Sequence, residues 1–204
     1  MNIVYREKSQ ISSTSKFIVG AFFVVFAAWF IYAVVHAVMK PGTYLADILI
    51  AGFALFLLLK RAAGQYEYTI TDEDVRIQES SYFGKREIII PLSDVDGLCI
   101  TTKDIFRRIR FHRKLKLNSS LDNRKVWMLV YSIIDGKKMV HHRADIKVSE
   151  RFLQELDNLL PGKVNITLNE VSFQALIREE AFRTGYTDPE EYRRDLKSGV
   201  LDDD

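Results

Sequence analysis

The alternation of apolar and polar positions divides the chain into a continuous apolar beginning and an alternating remainder. Phe17 to Met39 is a run of 23 residues in which His36 is the only side chain that titrates near neutral pH. As a helix it would rise about 34 Å at about 1.5 Å per residue, enough for a hydrocarbon core of about 30 Å. Lys40-Pro41-Gly42-Thr43 breaks that helix, and a second apolar run, Tyr44 to Leu59, heads back. Its helix would reach only about 24 Å. Continuing through Lys60-Arg61-Ala62-Ala63 closes the gap, because Lys and Arg stems snorkel to head groups. The pattern predicts a two-helix transmembrane hairpin over residues 17–63, with Asp47 in the first turn of the second helix, at the interface. A soluble helical hairpin would need a polar face on each segment, and neither has one.

The flanking charges set an orientation. Arg6, Lys8 and Lys16 precede the first run, and Lys60 and Arg61 follow the second, against Lys40 alone between them. Positive residues stay inside, so both termini are expected in the cytoplasm, in a multi-pass protein of the cytoplasmic (inner) membrane. The first run is too long for a signal-peptide core, and a second follows at once, so an anchor is expected rather than cleavage near Val35-His36-Ala37. Residues 1–16 read as a polar, loose cytoplasmic leader.

Beyond Gly64 the apolar positions alternate. Tyr66, Tyr68 and Ile70 face one way before a turn at Thr71-Asp72-Glu73-Asp74; Val75 and Ile77 lead to a second turn at Tyr82-Phe83-Gly84-Lys85. Arg86 to Ile90 is a third strand stopped by Pro91, and Leu98 to Thr102 a fourth. Ile109, Phe111, Leu115 and Leu117 alternate with Arg110, His112, Lys114 and Lys116, a strand with one basic face on which Arg113 breaks the rhythm. Val126 to Ile134 is apolar on both faces and is expected to be central; Asp135-Gly136 turns it into Met139 to Ile146. Ser149 caps a helix with Phe152, Leu153, Leu156, Leu159 and Leu160 on one face, ended by Pro161-Gly162. The tail from 163 to 204 predicts two short helices, one capped by Asn169 and ended at Gly185, the next capped by Asp188 with Pro189 at its first position.

Net charge is +2, so no global field draws the chain to nucleic acid, but the charge is uneven. Residues 103 to 116 carry seven Lys and Arg against Asp104, a local +6, whereas residues 163–204 carry six basic and ten acidic residues, a local −4. Basic-face aromatics for stacking bases are not interleaved there, which argues against nucleic acid. The lone Cys99 excludes a disulfide framework and a cysteine-based zinc site, and fits a reducing compartment. His141-His142 are strand neighbours pointing to opposite faces, one expected solvated and one half-buried, so they do not chelate together. No Gly-rich phosphate loop, nucleophile elbow or clustered His with a base is present, so no enzyme, no cofactor and no metal is expected.

Tyr66-Glu67-Tyr68-Thr69-Ile70-Thr71, Phe83-Gly84, Ile90-Pro91-Leu92-Ser93-Asp94-Val95 and the Phe152/Leu156 helix resemble bacterial membrane-anchored proteins with a pleckstrin-homology-like domain, over roughly residues 65 to 160. The resemblance implies an α+β chain: the helical hairpin, then a PH-like antiparallel β-barrel or sandwich over residues 65–162, capped by a helix and followed by an acidic helical tail. It carries no catalytic residues. The expected function is a non-enzymatic, membrane-anchored module that binds a protein partner or itself. The alternative is an anionic lipid head-group sensor in which Arg107, Arg108, Arg110, Arg113 and Lys114 make the contacts. The same charges would also protect an exposed edge strand, or dock the acidic tail.

Overall fold

The structure, a computed structural model, describes residues 2–40, 44–81, 84–101 and 109–198; at 61–63 it describes the backbone. The first element is a strand, β1 (Ile3–Lys8), where a loose leader was expected. Two helices follow, α1 (Ser13–Met39) and α2 (Leu45–Ala63), then strands β2 (Gln65–Thr71), β3 (Asp74–Ser81) and β4 (Gly84–Pro91). A short 3-10 turn, Leu92–Asp94, leads into β5 (Val95–Ile100), β6 (Phe111–Lys116), β7 (Trp127–Asp135) and β8 (Lys138–Ile146). Helices α3 (Glu150–Leu159), α4 (Leu168–Thr184) and α5 (Pro189–Ser198) complete the chain.

The strands form two four-stranded sheets, β1-β2-β3-β4 and β5-β7-β8-β6. The first is antiparallel throughout, whereas in the second β6 runs parallel to β8. No barrel closes among the described residues; the chain passes from sheet to sheet through the 3-10 turn. Tyr68, Ile70, Val75, Ile77 and Ile90 of the first sheet meet Leu98, Trp127, Leu129 and Tyr131 of the second, and Phe152 and Leu156 of α3 fill the same core. The alternating positions of β2 are therefore buried as their period requires, and β7 is central.

β1 was missed because its only apolar residues are Ile3, Val4 and Tyr5. Its polar residues are held individually. Glu7 accepts a hydrogen bond from Arg124 Nη1 at 2.8 Å and from the Ser149 backbone N–H at 2.9 Å, and Ser149 Oγ also donates to it. Ser149 in turn caps α3, accepting from the Phe152 N–H at 3.2 Å. Tyr5 meets the Phe152 ring edge-on at 6.3 Å.

α1 alone among the described residues has the length and hydropathy to cross a bilayer, where two such helices were expected. α2 packs back along it: Phe30 lies against Gly52, and His36 lies between Tyr32 and Tyr44, with ring centroids 4.3 and 5.3 Å away. Ala33 and Ala51 are fully buried, small side chains that let two helices approach closely. Outward, Phe22, Val24, Val25, Ile31, Leu49, Ile50 and Phe53 are exposed.

Both helices are spliced straight into sheet. Ser12 caps α1 four residues after β1 ends, and α2 gives way to β2 across Gly64 alone. β1 and β2 are adjacent antiparallel strands, closed at this end by Ser9 N–H donating to Tyr66 O at 2.7 Å and Tyr66 N–H donating to Ser9 Oγ at 3.1 Å. The apolar helix pair thus occupies the position of a hairpin loop.

Candidate functional site

Of the five basic residues expected to form a contact surface, Arg107 and Arg108 lie outside the described residues. Arg113 and Lys114 are exposed on β6, the edge strand of the second sheet, and Arg110 is exposed just before it. Its pairing with β8 carries Phe111 opposite His141 but Arg113 opposite His142, so His112 is an extra residue and the strand bulges. That bulge is the break in rhythm seen at Arg113. Arg113 and Lys114 are strand neighbours in regular register and project to opposite faces. Arg110 lines a groove of about 610 Å³ with His112, Lys138, His141, Leu176 and Glu179 at one end of the strand. Lys116, at the other end, lines a different furrow; six strand residues separate the ends by about 20 Å.

The tail packs in cis. α4 lies on the outer face of the second sheet, where Val171 and Ala175 meet Cys99, Ile109, Phe111, Met128 and Val130. Its start is a capping box of Thr167 and Glu170, two residues ahead of the expected Asn169, and Gly185 ends it in the left-handed region at φ 87°. α5 holds to α4 through Ile177, Ala181 and Tyr192. The segment before α4 is laid along the edge of β5, with Leu98 N–H donating to Lys163 O at 2.7 Å and Ile166 N–H donating to Leu98 O at 3.2 Å. Gly97 permits this approach, since a Cβ there would lie 2.9 Å from Ile166 Cδ1 and 3.2 Å from Lys163 O.

Beneath α4 runs a buried polar chain. β5 bulges between Val95 and Gly97, which turns Asp96 toward the helix. Ser132 Oγ lies 2.5 Å from Asp96 Oδ2 and 2.7 Å from His141 Nδ1, and His141 Nε2 lies 3.1 Å from Glu179 Oε2. Arg178 Nε pairs with Asp96 Oδ1 at 3.1 Å, off the line of a hydrogen bond, and Arg178 Nη2 donates to Val95 O at 3.2 Å. Lys163 Nζ reaches the same carbonyl at 3.0 Å.

The matching of donors and acceptors constrains the protons. Ser132 has one hydrogen and two partners. With Asp96 ionised, Ser132 donates to it, His141 Nδ1–H donates to Ser132, and Glu179 is served only if the imidazole carries both protons. With Asp96 protonated, its O–H donates to Ser132, Ser132 donates to His141 Nδ1, and Nε2–H donates to Glu179. Burial pushes the Asp96 pKa up, while Arg178, Ser132, His141 and Lys163 around it pull the other way.

A Ser-His-acid set invites comparison with nucleophilic catalysis, but Ser132 is 3% exposed and held from both sides, leaving no approach for a reacting carbonyl. Among the described residues no cluster of His, Cys, Asp and Glu is placed to hold a metal. The chain matches no protein-family model, and no curated protein or solved structure is significantly similar to it.

Both histidines depart from the expectation of one solvated and one half-buried ring: His141 and His142 are 6% and 4% exposed. They do point to opposite faces. His142 turns inward to meet the Tyr131 ring at 5.3 Å, tilted by 35°, and burial with the nearby Arg113, His112 and His141 charges pushes its pKa down. The sequence signal for the polar chain was Ser132, the single small polar residue within the apolar run of β7.

Proposed function

We propose that α1 and α2 cross the membrane as a hairpin with both termini cytoplasmic, and that the two-sheet domain, PH-like in its element order, is a non-enzymatic module that binds a protein partner or a second copy. The apolar exteriors of both helices, their small-residue contact and the excess of basic residues at their sheet-proximal ends support the anchor. The observation that carries the module reading is the β6 edge. Among the described residues it is an unpaired strand edge, with Arg113 and Lys114 on its opposite faces. Such an edge suits strand- or side-chain-mediated docking of a polypeptide, with charge guarding it when empty. A head-group pocket built from Arg107, Arg108, Arg110, Arg113 and Lys114 would need these side chains to converge, and Arg113 and Lys114, as strand neighbours, face opposite ways.

A photo-crosslinking residue at Arg113, compared with one at Asp157 on α3, tests this in intact membranes. The expected result is a discrete protein adduct, or a dimer, from position 113 and none from 157. Adducts with lipid only, or equal adducts at both positions, would overturn it. For topology, a cysteine at position 43 should react with an impermeant thiol reagent in intact cells, and a cysteine at Ser198 only after permeabilisation.

A further inference from the structure

Where α2 joins the first sheet there is a furrow of about 790 Å³, within the range of small-ligand sites. One wall is the last apolar turn of α2, with Phe56 and Leu57 about half exposed, and Lys60 one turn further on. The other wall is the end of β6 and the loop after it: Lys116, Asn118, Ser119 and Ser120. Past Lys116 and Asn118 the furrow continues into a second hollow of about 530 Å³, lined by Ile100, Val126, a third lysine, Lys125, and Asp145, whose carboxylate is paired with Arg143.

The chemistry of the walls is split along the furrow. Phe56 and Leu57 offer hydrocarbon; Lys60 and Lys116 offer two ammonium groups at the level where α2 leaves its apolar run. Ser119 is 3% exposed and its Oγ accepts from Leu121 N–H at 3.2 Å, which leaves its own proton to donate. Lys147 Nζ donates to Ser119 O at 3.1 Å and to Asp122 O, fixing this loop from behind. The one carboxylate in the first furrow, Glu79, accepts from the Tyr66 hydroxyl at 3.0 Å. A ligand that fits must carry a negative group and an apolar chain in one molecule.

We propose that this furrow holds an anionic glycerophospholipid, with its phosphate between Lys60, Lys116 and Ser119 and its acyl chain along Phe56 and Leu57. The assignment rests on the bilayer reading of α2. It moves lipid contact from the β6 edge to the base of the domain, and the edge stays open for a protein.

The test uses the full chain in nanodiscs of phosphatidylcholine doped with a photoreactive phosphatidylglycerol, or with a photoreactive phosphatidylcholine as control. Labelling by the anionic probe should map to peptides containing residues 56–60 and 116–120, and the neutral probe should give little. Lys60→Gln and Lys116→Gln should each lower labelling about five-fold, the share of one near-surface cation at anionic lipid. Arg113→Gln and Lys114→Gln, outside the furrow, should leave it unchanged; protection of buried Cys99 from thiol reagents confirms that each variant is folded. Equal labelling by both probes, or equal loss with the β6 variants, would overturn the site. Competition by millimolar glycerol phosphate would assign it to a soluble anion instead. Alkaline extraction separates the two readings: a chain washed from the membrane defeats the anchor, while a retained but unlabelled chain defeats the lipid site alone.

Discussion

The helices α3 and α4 cover opposite sides of the same sheet by different means. α3 reaches the side shared with the first sheet, where Phe152 and Leu156 are fully buried among apolar neighbours and aromatic edges of Tyr5 and Tyr68. α4 covers the other side with small side chains, Val171 and Ala175, over Met128 and Val130, and is fixed by Arg178 on Asp96 and Glu179 on His141. Apolar contact is non-directional and scales with area, so it decides that the sheets close. The polar chain contributes less net stability, but it is satisfied only when α4 sits in one register. One interface supplies cohesion, the other position.

The largest effect should come from the apolar side. Phe152→Ala removes a fully buried ring and should lower the stability of the detergent-solubilised chain by about 3–5 kcal/mol, read from a denaturant midpoint. A loss under about 1 kcal/mol would erase the distinction between the two interfaces.

An intermediate effect is expected on the polar side. Arg178→Met leaves the Asp96 carboxylate buried without its cation and should cost about 1–3 kcal/mol. Cys99, 1% exposed beneath α4, should then label faster with a thiol reagent than in the parent protein. Adding Asp96→Asn should recover part of the loss, because the charge needing a partner is gone. Additive losses in that double-mutant cycle would show that the two groups are not coupled.

The smallest effect separates the adjacent histidines. The His142 pKa is depressed in the folded protein, so the unfolded chain binds a proton more readily near its ordinary value of about 6.5. Stability from this residue is therefore present above that pH and lost as pH falls below it. His142→Phe should flatten the dependence of the denaturant midpoint on pH between about 7 and 5. An unchanged slope would mean that the inward histidine is not the titrating group.

Much of this arrangement was written in the pattern of residues. The two-faced apolar run at 126–134 implies a strand covered on both sides, and β7 is one. Ser149, Gly185 and Pro189 stand where the helix termini are. The losses have local causes. β1 has the composition of a solvated segment, and its Glu7 is satisfied by Arg124 and Ser149, more than a hundred residues distant. Asp96 escaped notice because the fourth strand was expected to begin at Leu98, whereas β5 begins at Val95 and bulges at Asp96. At His112 and Arg113 the bulge was visible as a broken rhythm, since the flanking charges made the slip apparent. The pairing of Glu179 with His141 spans 38 residues and two element types, and no spacing rule connects them.

The helix pair standing in for a hairpin loop has a consequence for synthesis of the chain. β1 ends at Lys8 and its partner β2 ends at Thr71, so 63 further residues must be polymerised before the strand pair is complete. At about 5–20 residues per second that interval is about 3–13 s. β1 thus leaves the ribosome long before it has a neighbour. A ligated loop of two residues would close in well under a millisecond, on the microsecond scale of isolated hairpins. Until β2 follows, β1 stands with an unpaired edge for that whole interval.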